Sequence, residues 1–369
     1  MTINLEIIDR IGLHDSLSNE GYRREFSPYL DNGYFALNLI DNDDIPSFFL
    51  FHIDKQKGKA EQKDYFKPGL VRLYLDQGYF LVTYLKEFSL CKYDLSIGKI
   101  QECYKQYILD KDNESIFLPS CCLVDPNTVA MAFDNDKKIR LFNLDRKEGK
   151  LAQCKEISFD YHRQPPSLFS PFDDYLIAGK GDLTLFHYDR IQDKISDCGK
   201  FITKSCNGQP SICKLGSGFV VGTDDDNLNY NFYFISIDKI THLFKRDDFI
   251  EIKNPHAFGE FPPDIKPLKK NVLAIRINEN YTKFFTEDET NCKLKEVEEI
   301  DGIVLELFEN DYFLHVSKGV LSLKKLLSKE KIEFANIKIQ KISTCNLKDN
   351  FISVITDRHN HLAILKMKG

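Results

Sequence analysis

Short apolar runs recur along the chain, each opened by a small turn and closed by a polar one. DNGYFALNLI from Asp31, DQGYFLVTYL from Asp76, PNTVAMAF from Pro126, DDYLIAG from Asp173 and GSGFVVGT from Gly216 share this form, and KNVLAIRI from Lys270, NDYFLHVS from Asn310 and DNFISVIT from Asn350 are looser copies. Their β-branched and aromatic content predicts buried strands, and turns such as Asn32-Gly33 and Gln77-Gly78 suit a tight hairpin. After the polar turn a second strand is predicted to alternate, as in Ile139 and Leu141 against Arg140 and Phe142.

A second element ends the units: an apolar run, an Asp, a short gap, then Lys with an aliphatic or small residue. FHIDKQKGKA (51–60), KYDLSIGKI (92–100), FNLDRKEGKL (142–151) and FHYDRIQDKI (186–195) carry it, and ISIDKITHL (235–243) is a shortened form. The Asp and the Gly-Lys are predicted to close a last hairpin. Eight units at roughly 40 to 50 residue spacing match the period of four-stranded antiparallel blades.

The expected fold is therefore all-β, a single β-propeller domain over residues 1–369. Its blades are expected at about 12–68, 69–115, 116–163, 164–205, 206–260, 261–300, 301–338 and 339–369 with 1–11. Seven blades are the alternative, since GVLSLKKLLSKEKIEF from Gly319 places Leu323, Leu326 and Leu327 at helical spacing. The last unit lacks one strand while Ile3, Leu5 and Ile7 alternate with Asn4 and Glu6. Thr2 to Ile11 is accordingly expected as the outer strand of the last blade, closing the ring and leaving no open seam.

Bulk properties narrow the class. Hydrophobic residues make up 42% and charged residues 29% of the 369, as in a folded globular protein. No run approaches the length of a membrane-spanning helix, and the acidic N-terminus does not read as a secretory signal. The ten cysteines include no C-x-x-C pair, which favours buried thiols in a reducing compartment, cytoplasmic or nuclear. In such a compartment the sequons at Asn113 and Asn280 carry little weight. A net charge of −6 argues against general nucleic-acid binding.

YDLSIGK, Tyr93 to Lys99, resembles the ending of a WD40 repeat with Tyr in place of Trp, and GDLTLFHYD, Gly181 to Asp189, resembles that family's Asp turn and following strand. The likeness covers most of the chain as a periodicity. Trp is absent everywhere and no Gly-His dipeptide opens a repeat, so the family's hydrogen-bonded tetrad is incomplete. The resemblance implies that the acidic turns share one face with the loops between blades. Asp41, Asp43, Asp44, Asp134, Asp136, Asp182, Asp224, Asp225, Asp226 and Glu279 would then form a rim favouring a basic peptide or surface. The bland alternative is that Asp suits tight turns. DYHRQPPSLF and HAFGEFPP offer Tyr161, His162, Phe258 and Phe261, held by proline-restricted loops, as contacts on that face or as plugs on the blades.

No catalytic residue, metal ligand set or cofactor motif is assigned: G-x-S-x-G, phosphate-binding glycine loops and H-E-x-x-H are absent. Asp224-Asp225-Asp226-Asn227 lacks the Gly and distal Glu of a calcium loop, and His359-Asn360-His361 lacks further ligands. No repeat Asp is followed two positions later by Arg, the mark of ubiquitin-ligase substrate receptors, and GYRRE at Gly21 reads as a surface loop. The expected function is a non-catalytic protein-interaction scaffold in a larger intracellular complex. The competing class is a propeller hydrolase or lyase with carboxylates lining its channel.

Overall fold

In the computed structural model of the chain, residues 4–12, 23–26, 30, 33–40, 45–85, 87–94, 98–108, 119–133, 136–160, 165–203, 210–224, 229–253, 264–269, 271–277, 281–288, 290–308, 311–328, 331–338, 344–346, 351–356 and 361–368 are described. They form eight four-stranded antiparallel sheets. After β1 (Asn4–Gly12), sheet 1 contains β2 (Arg23–Phe26), β3 (Tyr34–Ile40), β4 (Pro46–Asp54) and β5 (Lys59–Phe66). Sheet 2 contains β6 (Leu70–Tyr74), β7 (Tyr79–Tyr84), β8 (Glu87–Asp94) and β9 (Lys99–Tyr107). Sheet 3 contains β10 (Ser120–Asp125), β11 (Thr128–Ala132), β12 (Lys138–Asp145) and β13 (Lys150–Ser158). Sheet 4 contains β14 (Ser167–Phe169), β15 (Tyr175–Gly179), β16 (Leu183–Asp189) and β17 (Lys194–Phe201). Sheet 5 contains β18 (Ser211–Leu215), β19 (Gly218–Asp224), β20 (Tyr230–Asp238) and β21 (Leu243–Ile252). Sheet 6 contains β22 (Asp264–Lys269), β23 (Val272–Arg276), β24 (Tyr281–Asp288) and β25 (Lys293–Asp301). Sheet 7 contains β26 (Ile303–Leu307), β27 (Tyr312–Ser317), β28 (Val320–Lys325) and β29 (Lys331–Lys338), and sheet 8 joins β30 (Thr344–Asn346), β31 (Phe351–Thr356) and β32 (His361–Lys368) to β1.

The N-terminal strand behaves as its alternation predicts. β1 lies at the edge of sheet 8, antiparallel to β32, with Asn4 opposite Lys368 and Gly12 opposite His361. One alternative is excluded and one expectation is corrected. The segment from Gly319 is not helical: Val320–Lys325 pairs with β27 on one side and β29 on the other, and the buried Leu321 and Leu323 point to one face of the strand. Leu321, Ser322 and Leu323 are buried in succession, as in a strand covered on both faces, and this pairing overrides the helical spacing of the leucines. Arg23–Phe26, read as a surface loop, is β2, paired with β3 from Arg23 opposite Ile40 to Phe26 opposite Leu37.

Two compact units are present, Met1–Asp110 with Asp145–Leu151 and Val304–Gly369, and Lys111–Leu144 with Ala152–Ile303. Within the first, sheets 1 and 2 share a core of Leu30, Ala36, Phe48, Leu50, Val71, Phe80, Val82, Cys91 and Tyr93. Within the second, successive cores join sheets 3 and 4, 4 and 5, and 5 and 6. The middle strands are covered on both faces, so β7, β11 and β15 are buried almost without interruption. Ile139, Leu141 and Phe142 of β12 are all buried for the same reason, and the alternation read from the sequence is only partial there. Fourth strands such as β9 and β13 are largely exposed.

In sheets 1, 2, 4, 5 and 6 the fourth strand carries one extra residue where it passes the middle of the third: Lys63, Cys103, Cys198, Asp247 and Val297. A bulge at this point increases local twist and turns the open edge away from flat pairing with another chain.

Candidate functional site

The hairpin joining third to fourth strand is built by the aspartate that marks each repeat. Asp54 Oδ1 accepts the amides of Gln56 and Lys57, Asp145 those of Lys147 and Glu148, Asp189 those of Ile191 and Gln192, and Asp238 those of Ile240 and Thr241. These amide donors hold Asp54 and Asp238 below the ordinary carboxylate range, and bonds from Thr290 and Asn291 take Asp288 down to about 2. The fifth residue of the hairpin is left-handed: Gly58, Gly98 and Gly149 supply it in sheets 1 to 3, and Asp193, His242 and Cys292 in sheets 4 to 6. Glycine adopts this conformation without penalty and other residues do so at some cost.

In sheets 1, 2, 4 and 7 a tyrosine opens the second strand and packs on the third strand at the base of the hairpin. Tyr34, Tyr79, Tyr175 and Tyr312 lie opposite His52, Lys92, His187 and Lys325. Lys92 and Lys325 sit over the rings of Tyr79 and Tyr312 at 4.8 and 5.8 Å, and His52 and His187 pack on Tyr34 and Tyr175 at 4.4 and 4.9 Å. The tyrosine also reaches a further element: the Tyr79 hydroxyl donates to the Arg146 carbonyl at 3.0 Å, and Tyr175 Oη lies 2.6 Å from Nδ1 of His242. The sequence reading missed this pair, although His52, Lys92 and His187 all stand two residues before the repeat Asp, a signal visible in the quoted motifs.

In the second unit these contacts concentrate on the hairpins of sheets 4 and 5. Arg190, directly after its repeat Asp, donates through Nη2 to Asp125 of sheet 3 and through Nε to Asp174 of sheet 4. Lys239, directly after its own, shares the ring of Phe172 with Lys214 at 5.8 and 5.0 Å. The backbone of both hairpin tips is thus anchored, yet Ile191 and Ile240 at the tips are 98% and 91% exposed. Replacing Arg190 by Met is expected to cost about 1 kcal/mol in urea denaturation, the half-exposed guanidinium limiting the loss.

No family model matches the chain, and no curated protein does. Solved structures do. Sqt1 from Saccharomyces cerevisiae is 8% identical with a TM-score of 0.62, covering 92% of this chain and 94% of its own. Chaetomium thermophilum Sqt1 bound to the N-terminus of ribosomal protein L10 is 9% identical with a TM-score of 0.61, covering 92% and 95%. The periplasmic gluconolactonase PpgL of Pseudomonas aeruginosa is 9% identical with a TM-score of 0.55, covering 76% and 85%. The fold is that of a β-propeller.

The propeller's acidic turns are described at three places. Asp136 takes a bidentate bond from Arg140, Nε to Oδ2 and Nη2 to Oδ1, both 2.9 Å, and Arg140 also reaches Glu156 at 3.1 Å. Asp182 Oδ1 accepts the Thr203 amide at 3.3 Å, and Asp224, at the end of β19, is buried. Asp136 and Asp182 thus have partners within their own sheets. Asp41, Asp43, Asp44, Asp134, Asp225, Asp226, Glu279, Tyr161, His162, Phe258 and Phe261 lie outside the described residues, as do Asn227, His359 and Asn360.

Among the described residues no group of three or more His, Cys, Asp or Glu could hold a metal ion, and no helix is long and apolar enough to cross a membrane. Cys91, Cys103, Cys121, Cys122, Cys154, Cys198, Cys213 and Cys292 are free thiols. Burial raises the Cys91 and Cys122 thiols and takes Cys213 up to about 12, so these sulfurs stay protonated near neutral pH.

Proposed function

We propose that this propeller, with each four-stranded sheet as one blade of a single domain, is a non-catalytic platform for protein partners inside a larger cytoplasmic or nuclear assembly. The carrying observation is the pair of exposed isoleucines, Ile191 and Ile240, on the anchored hairpin tips of sheets 4 and 5. Hairpin tips ordinarily take small or polar residues. A large aliphatic side chain there gains nothing for folding, whereas covering it in a complex contributes about 1.5–3 kcal/mol. Rigid tips lose little entropy on docking. A protein of the same fold, Chaetomium thermophilum Sqt1, is bound to the N-terminus of a ribosomal protein, which supports this class of role. The acidic turns at Asp43, Asp44, Asp225 and Asp226 enter the proposal as a second surface, steering a basic partner.

The test compares capture by the tagged full-length protein from its native cell, quantified by mass spectrometry. Ile191→Asp/Ile240→Asp is expected to lose specific partners without a change in thermal stability. Asp43→Asn/Asp44→Asn/Asp225→Asn/Asp226→Asn is expected to lower capture at low salt more than at moderate salt. Unchanged partner sets in both variants would remove the platform reading. Because PpgL shares the fold, hydrolysis of gluconolactone is assayed alongside, and turnover well above the uncatalysed rate would overturn the non-catalytic part.

A further inference from the structure

The hairpin of sheet 5 departs from those of sheets 1 to 3 at its left-handed position. Where they use Gly58, Gly98 and Gly149, it holds His242 at φ 56°, with the His242 amide bonded to the Asp238 carbonyl at 2.7 Å. Histidine is strained there relative to glycine. Its ring is fully engaged in return. Nδ1 meets the Tyr175 hydroxyl at 2.6 Å, and the imidazole stacks on that of His187 with centroids 4.1 Å apart and planes 16° apart. His187 itself stands on β16 opposite Tyr175, so the stack joins two sheets.

We propose that the stacked imidazoles of His187 and His242, tied to Tyr175, form an acid-released latch that holds the hairpin of sheet 5 against sheet 4. Neutral rings stack face to face and one accepts or donates a single hydrogen bond with the tyrosine. A proton on each ring sets two cations against one another across the same 4.1 Å.

The surrounding charges do not relieve that repulsion cheaply. From sheet 4, Asp174 and Asp189 face His187, but Asp174 is held by Arg190 and Asp189 by the amides of Ile191 and Gln192. Cys198 of β17 approaches from the same sheet, through the His187 backbone and beside Tyr175, and from sheet 5 Asp238 faces Tyr175 while capping its own hairpin. Burial, with His242 next, lowers the His187 imidazole, and the two aspartates oppose this. The sign follows. The unfolded chain takes this proton near pH 6.5 and the folded chain resists it, so the stabilisation is complete above about 6.5 and is lost as pH falls through the folded value.

The full chain, labelled at histidine Cε1, is titrated by NMR from pH 8 to 4.5. Hydrogen exchange over residues 238–245 is followed at pH 7.5 and 5.5, corrected for intrinsic rates. His242→Gly installs the residue used by sheets 1 to 3, so the hairpin retains its backbone. In that variant the His187 midpoint is expected to rise by about half a unit, about threefold in proton affinity. In the wild type the hairpin is expected to exchange several-fold faster at pH 5.5, and in His187→Gln to lose that dependence. An unmoved His187 midpoint in His242→Gly, or equal hairpin protection at both pH values in the wild type, overturns the latch.

Discussion

Phe80→Ala is expected to cost about 3–5 kcal/mol. Phe80, the second residue of β7, is fully buried and meets Phe48 of sheet 1 edge-on, centroids 5.9 Å apart at 86°. Its ring is shared between two sheets whose strands are held by their own ladders, so neither can move in to fill the space. The penalty is then the transfer free energy of the ring plus an unrelaxed cavity. Phe80→Leu, which restores part of the volume, is expected to fall well below that figure. Urea denaturation of the two variants measures both. A loss under about 1 kcal/mol for the alanine variant would mean that sheets 1 and 2 are not packed through this ring.

Asn38→Leu is expected to be nearly as damaging, about 2–5 kcal/mol, although it adds apolar volume to an apolar core. Asn38 of β3 donates through Nδ2 to the Val71 carbonyl at 3.0 Å and accepts the Val71 amide on Oδ1 at 3.0 Å. All of these groups are buried. Leucine leaves a backbone donor and a backbone acceptor of β6 without partners, each carrying its own desolvation cost. Asn38→Asp keeps an acceptor for the Val71 amide but sets a second oxygen against the Val71 carbonyl, so its cost should be large near neutral pH, where the buried carboxylate is charged, and smaller in acid, where the protonated carboxyl can donate. Faster exchange of the Val71 amide in the leucine variant is the local signature. An unchanged exchange rate would show that the clamp does not hold that edge.

Asn38 also shows where reading residues in order runs out. An asparagine inside YFALNLI looks like an interruption of a strand, and nothing within sheet 1 explains it. Its partners are 33 residues away on the next sheet. The same applies to Arg190, which meets Asp125 across 65 residues, and to Tyr175, which meets His242 across 67. By contrast the repeat Asp is explained almost entirely by the residues that follow it, because the amides it accepts belong to the next two or three positions. In sheets 1, 2, 4 and 7 a tyrosine on the second strand faces His or Lys on the third, a contact set by strand register. The Leu326–Leu327 spacing that suggested a helix failed for the complementary reason. Leu323 is held in a strand paired to β27 and β29, and the chain turns at Leu326 and Leu327 just beyond it.

Most strand, turn and hairpin positions, β2 excepted, were decided by the sequence alone, since alternation and turn chemistry act over a few residues and need no neighbour. Which side chains meet between sheets, where the bulges fall, and which partners Asp136 and Asp182 take were decided only by the tertiary structure. Those contacts depend on register and twist between elements tens of residues apart. Energies of that kind arise only when both partners are already in place.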